Sequence, residues 1–276
     1  MLKRKKLFGI KVVVSNLHEA AEHVAGAGEE LKGKYISFAN AHTTVMAHKD
    51  REFHRVQKEA FYVMPDGRPL SKLLRLRGYG EAGQIAGPDF MDALWRASVK
   101  YHKSHYFYGG SEETIKGLRK ILEEKYPDVI IAGMESPPYR PLTEEEDRAV
   151  VERINSSGAD FIWIGLGAPK QEIFMNEHKD RMNGVMLGVG AGFDFYSGTV
   201  NRAPKWMRKI YLEWLYRLSQ EPGRLWKRYL VTNTEFAGMV FIYGLRCNKR
   251  KRKTSMRKNG ESFLNYDRSS GTIEKP

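Results

Sequence analysis

The chain has 276 residues, of which 41% are hydrophobic, enough for one large domain or for one domain with an appendage. Its one cysteine, Cys247, excludes a disulfide framework and fits a reducing compartment. The net charge of +13 predicts a polyanionic partner and leaves open nucleic acid, an anionic membrane and phosphorylated substrates.

The two ends of the chain do not resemble membrane-spanning segments. The basic start, MLKRKKLFGIKVVVSN, lacks the long apolar core and the cleavage site of a signal peptide. The longest late apolar stretch, 236–245, has ten residues, and a spanning helix needs roughly twenty. We therefore expect a cytoplasmic chain that is at most peripheral to a membrane.

Strands and helices alternate up to about residue 200. Apolar runs predict strands at 34–38, 61–64, 105–110, 128–133, 160–169 and 184–195. Helical spacing and cap residues predict helices at 43–60, 68–77, 88–101, 111–125 and 143–155, and another from about 170. Ser111 is a predicted N-cap, and Thr143 with Glu146 is a predicted capping box.

This alternation predicts an α/β fold, a Rossmann-like and mostly parallel sheet with helices on both faces. Beyond Pro204 the pattern becomes helical, aromatic and basic. We predict an α/β catalytic domain at 1–200, a helical appendage that docks on a membrane at 201–247, and a basic, disordered tail at 248–276.

Several unusual residues follow the predicted strands, where doubly wound sheets bind their ligands. Asn40 follows the first strand and Asp66 follows the second, inside Pro-Asp-Gly. A carboxylate fixed at a strand end can serve as a general base. Pro-Asp-Gly is also a common turn, so the spacing alone leaves a structural aspartate open.

Two glycine-rich stretches follow later strands, GLGAPKQE at 165–172 and GVGAGFDF at 188–195. Glycines let a phosphate approach the backbone amides at a helix start, although close packing of helix and sheet explains them equally well. Asp194 is suited either to a sugar hydroxyl or to capping the backbone. The chain has no HExxH, cysteine cluster or DxD, so we predict no metal site.

The stretch EWLYRLSQEPGRLWKRYL, 213–230, combines aromatic and basic side chains. Its candidate cationic cluster consists of Arg217, Arg224, Lys227 and Arg228. Arginine forks suit pyrophosphate, and aromatic rings with cations suit a membrane interface. A solvated basic helix or a nucleic-acid surface remains open, but no RNP, KH or helix-turn-helix signature supports the latter.

Taken together and in order, these stretches resemble the WecG/TagA/CpsF family, glycosyltransferase family 26, over roughly 30–235. The stretches that carry the resemblance are FANAHTTVMAHKD (38–50), MPDGRPL (64–70), AGPDFM (86–91), FYGG (107–110), GLGAPKQEIFM (165–175), GVGAGFDFYSGTVNRAPKWM (188–207) and EWLYRLSQEPGRLWKRYL.

The resemblance implies an inverting, metal-independent glycosyltransferase without a cofactor. Its members transfer a sugar, often N-acetylmannosamine or its uronic acid, from a UDP-sugar donor to a sugar on a polyprenyl diphosphate. The reaction takes place at the inner face of the bacterial membrane, in the synthesis of teichoic acid or other surface polysaccharides. The resemblance also leaves a homo-oligomer open.

The resemblance further implies roles for individual residues. Asp66 would be the catalytic base that deprotonates the acceptor hydroxyl. The residues expected to line the pocket or to hold the UDP-sugar are Asn40, Gln84, Gly167, Gln171, Gly188, Gly190 and Asp194. The residues expected near the acceptor diphosphate are Arg217, Arg224, Lys227 and Arg228. Gln84 stands where relatives often carry arginine, which leaves the identity of the donor or acceptor open.

Three alternatives stay open. A member of the same family can use UDP-glucose or another hexose donor. Charge alone also permits a nucleic-acid-binding α/β protein, although we expect no nucleic acid. A catalytically inactive scaffold is the third, which the intact Pro-Asp-Gly and Gln171 disfavour.

Overall fold

The computed structural model describes residues 1–204, 206–207, 212–223, 225–227 and 229–244. The tail predicted at 248–276 lies outside the described residues, as do Arg224 and Arg228. The division into domains remains a prediction.

One eight-stranded sheet forms the centre of the molecule, with the strand order β1-β2-β4-β3-β8-β7-β5-β6. The strands are β1 (Arg4–Leu7), β2 (Ile10–Val13), β3 (Tyr35–Ala39), β4 (Tyr62–Pro65), β5 (Ser104–Gly109), β6 (Ile130–Glu135), β7 (Phe161–Gly165) and β8 (Val185–Gly188). β1 and β2 pair antiparallel, and the other neighbours pair parallel. The predicted α/β fold with a mostly parallel sheet is confirmed.

Helices cover both faces of this sheet. They are α1 (Leu17–Gly26), α2 (Ala41–Lys49), α3 (Arg51–Glu59), α4 (Arg68–Leu76), α5 (Gly87–Lys100), α6 (Glu112–Lys125), α7 (Glu144–Ser156), α8 (Lys170–Glu177), α9 (Gly192–Ser197) and α10 (Glu213–Gln220). Ile36 and Phe38 of β3 pack with α1, α5 and α6. Tyr35 of the same strand packs with α7 and α8 on the opposite face, as the alternation of side chains along a strand requires.

The capping predictions are confirmed. The Ser111 side chain accepts a hydrogen bond from the Thr114 N–H at the start of α6. Thr143 and Glu146 make both hydrogen bonds of a capping box at the start of α7. These side chains fix the helix starts because the first N–H groups of a helix have no partner within it.

The helix predicted at 43–60 is wrong in its continuity. Asp50 has an extended backbone, with φ −109° and ψ 116°, and separates α2 from α3. Its carboxylate accepts hydrogen bonds from the N–H groups of Glu52 and Phe53. This side chain caps a new helix, which hydrophobic spacing alone does not reveal.

The stretch 160–169, predicted as a strand that runs into a glycine-rich turn, forms a strand in its first half, whereas the strand predicted at 184–195 is too long. β7 ends at Gly165 and β8 ends at Gly188. Gly190, at φ +56°, turns the chain away from the sheet before α9 begins at Gly192. A left-handed residue of this kind is easily accommodated by glycine and interrupts the extended run.

The C-terminal helical segment, meaning the described residues between 222 and 244, packs against the N-terminal hairpin of β1 and β2. The Phe8 ring at the hairpin turn lies 5.8 Å from the Phe236 ring and 4.8 Å from the Tyr243 ring, centroid to centroid. The Tyr243 hydroxyl donates a hydrogen bond to the Lys6 carbonyl, 3.0 Å away. Within the described part of the chain, no helix is both long enough and apolar enough to span a bilayer.

Candidate active site

Asn40 and Asp66 lie side by side at the carboxyl ends of two neighbouring strands. Ala39 pairs with Pro65 in the parallel register of β3 and β4, so the next residue of each strand emerges at the same edge. The Asn40 Nδ2 donates a hydrogen bond to the Asp66 Oδ2, 3.3 Å away. The Asp66 N–H bonds to the Ala39 carbonyl at 2.9 Å, which anchors the backbone that carries the carboxylate.

The orientation of Asn40 follows from its position as the N-cap of α2. Its Oδ1 accepts a hydrogen bond from the Thr43 N–H at 3.2 Å, and the Thr43 hydroxyl accepts one from the Asn40 N–H at 3.0 Å. This capping box occupies the amide oxygen. The amide nitrogen, a donor, is therefore the atom that faces Asp66.

Burial raises the pKa of Asp66 to about 6, because a charged carboxylate loses hydration there. The hydrogen bond from Asn40 opposes this shift, the charges of Glu213 and Asp89 add to it, and Arg202 opposes it. A carboxyl group that titrates near pH 6 is ionised at neutral pH and is a stronger base than an ordinary aspartate. This is the property that a general base needs.

Gln84 holds the backbone of Asp66. Its Nε2 donates to the Asp66 carbonyl at 2.7 Å, and its Oε1 accepts from the Arg68 Nε at 2.8 Å. The Ile85 N–H bonds to the Pro65 carbonyl at 2.9 Å. The segment before α5 is thus fastened to the end of β4, and Gln84 acts in this structure by positioning the candidate base.

Gln171 is buried and joins the ends of β7 and β8. Its Nε2 donates to the Gly188 carbonyl and its Oε1 accepts from the Gly190 N–H, both at 2.9 Å. Its Nε2 also lies 3.0 Å from the Oε1 of Glu172, a carboxyl group whose pKa burial raises to about 7. Both ends of the Gln171 amide are bonded within the protein, so it shapes the glycine-rich turn.

The predicted glycines have distinct surroundings. A Cβ on Gly188 would lie 2.5 Å from the Met175 Cε, so close packing requires this glycine. Gly167 and Gly190 have φ of +75° and +56°, and, apart from the chain neighbours of Gly167, no atom of the described residues lies within 4 Å of a Cβ built on it. Gly167 therefore borders open space, where a ligand can approach the backbone.

Asp194 lies in α9, the short helix that follows β8. The Thr114 hydroxyl donates to its Oδ1 at 3.3 Å. Its carbonyl accepts from the Val200 N–H at 3.1 Å. Asp194 thus connects α6 with the segment that leads to α10, and no hydrogen bond links it to Asp66 among the described residues.

The structure describes two members of the predicted cationic cluster. The Arg217 guanidinium lies 5.5 Å from the centre of the Phe195 ring in α9, and its Nε is buried without a hydrogen-bond partner among the described residues. Lys227 is exposed, with its Nζ 5.6 Å from the Trp226 ring centre. Arg224 and Arg228 lie outside the described residues, so their predicted role stays a prediction.

The sequence interpretation missed three charged residues beside Asp66. Arg202 donates from Nη1 and Nη2 to the two oxygens of Asp89, at 2.7 and 2.9 Å. Its Nε lies 3.3 Å from the Oε1 of Glu213. Arg202 and Asp89 are 113 positions apart, a separation at which no spacing rule links two residues.

In the part of the chain that the structure describes, no group of three or more His, Cys, Asp or Glu side chains is arranged to hold a metal ion. The charged groups around Asp66 are instead paired with each other, as the contacts of Arg202 show.

Comparison with known proteins assigns this chain to a family. The model of the glycosyl transferase WecG/TagA/CpsF family matches residues 5–250. A Bacillus subtilis (strain 168) protein named N-acetylglucosaminyldiphosphoundecaprenol N-acetyl-beta-D-mannosaminyltransferase is 31% identical over 231 residues, which cover 83% of this chain and 88% of that protein. A protein of the same name from Bacillus spizizenii (strain ATCC 23059 / NRRL B-14472 / W23) is 30% identical over 203 residues, 73% of this chain and 77% of that protein. The chain belongs to the WecG/TagA/CpsF family and is a glycosyltransferase of the hexosyltransferase class.

Proposed function

We propose that this enzyme transfers an N-acetylmannosaminyl-type sugar from a UDP-sugar to N-acetylglucosamine on a polyprenyl diphosphate, with inversion at the anomeric carbon. The names of both relatives specify this sugar and this acceptor. The observation that carries the proposal is the Asn40–Asp66 pair at the ends of β3 and β4, where the pKa of Asp66 is raised to about 6.

In this proposal Asp66 is the general base. Its carboxylate takes the proton of the acceptor hydroxyl while that oxygen attacks the anomeric carbon. The bond to the UDP oxygen breaks on the opposite face, so a single displacement inverts the configuration. Asn40 orients the carboxylate through Oδ2, and Gln84 fixes the backbone behind it. A positioned base of this kind contributes roughly 10²–10⁴-fold to the rate.

The leaving UDP requires stabilisation of its developing negative charge. We propose that backbone amides of the glycine-rich turns and cationic side chains supply it without a metal ion. Gly167 borders open space after β7, and Arg217 lies over Phe195 beside the end of β8. Arg217, Arg224, Lys227 and Arg228 would contact the diphosphates of donor and acceptor.

We further propose that the appendage docks this enzyme on the inner face of the plasma membrane. Large apolar side chains are exposed on it, namely Trp206, Trp214, Leu215, Trp226, Leu230, Val231, Phe241 and Ile242. The basic residues of the same region, including Lys227, suit anionic headgroups. This arrangement favours a peripheral enzyme whose lipid-linked acceptor is delivered from the bilayer.

The test is a panel of UDP-sugars offered with a short-chain prenyl-diphosphate-GlcNAc acceptor in EDTA. The proposal predicts turnover with UDP-N-acetylmannosamine and a product whose new anomeric centre is β by NMR. If turnover is found with UDP-glucose alone, the proposed donor is wrong, but the proposed class of reaction is retained. A requirement for added divalent metal would refute metal independence, and an α-linked product would refute the single displacement.

Asp66→Asn and Asp128→Asn are a matched pair for the same assay. Asp128 is exposed and lies in the connection between α6 and β6, so its substitution changes charge without touching the site. We expect Asp66→Asn to lose about 10²–10⁴-fold in turnover, and Asp128→Asn to keep the wild-type rate. Equal rates in the two variants would remove Asp66 from its proposed role.

A further inference from the structure

Arg202 bridges two carboxylates that belong to different parts of the molecule. Asp89 lies in the first turn of α5, and Glu213 is the first residue of α10. Arg202 belongs to the segment between α9 and α10 and contacts both. The Arg202 side chain is only 18% exposed, whereas Asp89 is 37% and Glu213 29% exposed, so the guanidinium is the shielded member of the bridge. A two-pronged arginine–carboxylate pair in such a place has a defined geometry.

The charges of this bridge act on the candidate base. The charges of Glu213 and Asp89 raise the pKa of Asp66, and the charge of Arg202 lowers it. The segment immediately before α5 is the one that Gln84 fastens to the Asp66 carbonyl, which places Asp89 near the same strand end.

We propose that Arg202 is a positioning residue that seats α10 against the strand-end pocket through Glu213 and compensates the two carboxylates beside Asp66. Without the guanidinium, the hydrogen bond from Asn40 would still oppose the effect of Asp89 and Glu213 on Asp66, but no charge of Arg202 would. With it, the pocket keeps Asp66 ionised under the conditions in which a base must work. This inference rests on the proposed role of Asp66.

The same contact places a second arginine. Arg217 follows Glu213 by four residues on α10, so both side chains lie on the same side of that helix. The guanidinium groups of Arg202 and Arg217 lie 5.8 and 5.5 Å from the centre of the Phe195 ring. The contact of Glu213 with Arg202 therefore also fixes the position of Arg217 on α10. In this way one contact positions both the surroundings of Asp66 and the arginine proposed to bind a diphosphate.

In the part of the chain that the structure describes, the groups that act on the pKa of Asp66 come from four elements, and each group predicts the direction of a shift. Asn40 at the start of α2 and Arg202 after α9 lower the pKa of Asp66, whereas Asp89 of α5 and Glu213 of α10 raise it. Arg202→Met should therefore move the acid limb of the pH–rate profile to higher pH. Glu213→Gln should move it to lower pH. If the bridge had only a structural role, the two variants would not shift the acid limb of the pH–rate profile in opposite directions.

The experiment measures kcat/KM against pH for the wild type, Arg202→Met, Glu213→Gln and Arg202→Lys, with thermal melting as a control for folding. We expect the limb to move by about half a pH unit or more, in opposite directions, for the first two variants. Arg202→Lys keeps the charge and loses the two-pronged geometry. It should keep the limb near the wild-type position and raise KM for the acceptor severalfold.

A titration without substrate separates this inference from the proposed function. In ¹³C NMR of protein labelled at the aspartate carboxyls, the Asp66 signal is assigned by its loss in Asp66→Asn. Opposite shifts of its midpoint in Arg202→Met and Glu213→Gln support the inference whether or not turnover is found. Shifts in the same direction, or none in folded variants, overturn it. Absence of turnover that depends on Asp66 would instead overturn the proposed function.

Discussion

Asn40 is the residue on which the candidate site most depends, because its one amide serves two purposes. Its oxygen caps α2 and its nitrogen contacts Asp66. Asn40 and Asp66 could be predicted as neighbours from the sequence, since both follow strands of one parallel sheet. The bridge from Arg202 to Asp89 could not be predicted, because it depends on how the segment after α9 returns to α5.

Replacing Asn40 separates its two functions. Asn40→Ala removes the cap and should lower the free energy of unfolding by about 1 kcal/mol. Asn40→Ser restores a capping oxygen but not the amide donor, so near pH 4, where Asp66 is protonated in the folded protein, its stability should stay near that of the wild type. In both variants the pKa of Asp66 should rise, because the hydrogen bond that lowers it is lost. The pH–rate profile and denaturant unfolding measure the two effects separately. A wild-type acid limb in Asn40→Ser would contradict the role of the amide.

The raised pKa of Asp66 also predicts a cost in stability. The folded-state value of about 6 lies above the ordinary value of 3.8, so the folded protein binds this proton more tightly than the unfolded chain. The contribution of Asp66 to stability therefore falls as pH rises from about 4 through 6. Asp66→Asn should be more stable than the wild type at pH 7.5, by up to about 3 kcal/mol, and the difference should become small near pH 4. Urea unfolding at both pH values tests this, and a variant less stable at pH 7.5 would contradict it.

At the scale of elements, the central strands and the caps of α6 and α7 could be predicted, and the β1 edge of the sheet could not. The strands β4, β5 and β7 are apolar runs buried on both sides, which the sequence displays directly. β1 has the sequence Arg-Lys-Lys-Leu and pairs on one side only, with β2. Its three charged residues do not form an apolar run, so the sequence does not predict this strand. The turn at Phe8 and Gly9 has φ of 47° and 91°. Phenylalanine rarely adopts a positive φ, so the sequence does not predict a turn at this position.

The Phe8 ring should hold the C-terminal helical segment against the hairpin. Phe8→Asn removes the ring and introduces a residue that adopts positive φ more readily, whereas Phe8→Ala removes the ring without this gain. We expect faster hydrogen exchange at 229–244 in both variants, because the contacts with Phe236 and Tyr243 are lost. Exchange in β1 and β2 should stay slow in Phe8→Asn and increase in Phe8→Ala. Unchanged exchange at 229–244 in Phe8→Asn would show that the ring is not what holds this segment.

At the scale of the whole molecule, the proposed membrane-facing surface lies on the appendage. The aromatic and basic residues of the appendage led to the prediction of a membrane contact, and the structure shows which of its apolar side chains are exposed. The double variant Leu230→Ser with Phe241→Ser removes two of them, 62% and 69% exposed. Ile130→Ser is the matched control, because Ile130 is exposed on β6, at the opposite edge of the sheet from β1.

We expect the wild type and the control to float with vesicles that contain phosphatidylglycerol, and to bind less as salt increases. The double variant should bind at least about a hundredfold more weakly, since each buried apolar side chain contributes on the order of 1.5–3 kcal/mol and every 1.4 kcal/mol corresponds to about tenfold in affinity. Equal loss in the control would indicate general damage. Undiminished binding by the double variant would place the membrane contact elsewhere.

The most direct test of Asp66 as the base is acceptor-dependent UDP release measured from pH 4.5 to 8.5 with UDP-N-acetylmannosamine in EDTA. The wild type should lose turnover as pH falls through about 6, because burial raises the pKa of Asp66 to that value. Asp66→Asn should show no such limb and only the residual rate. A limb that persists in Asp66→Asn, or a rate that this substitution leaves intact, would show that another group removes the proton.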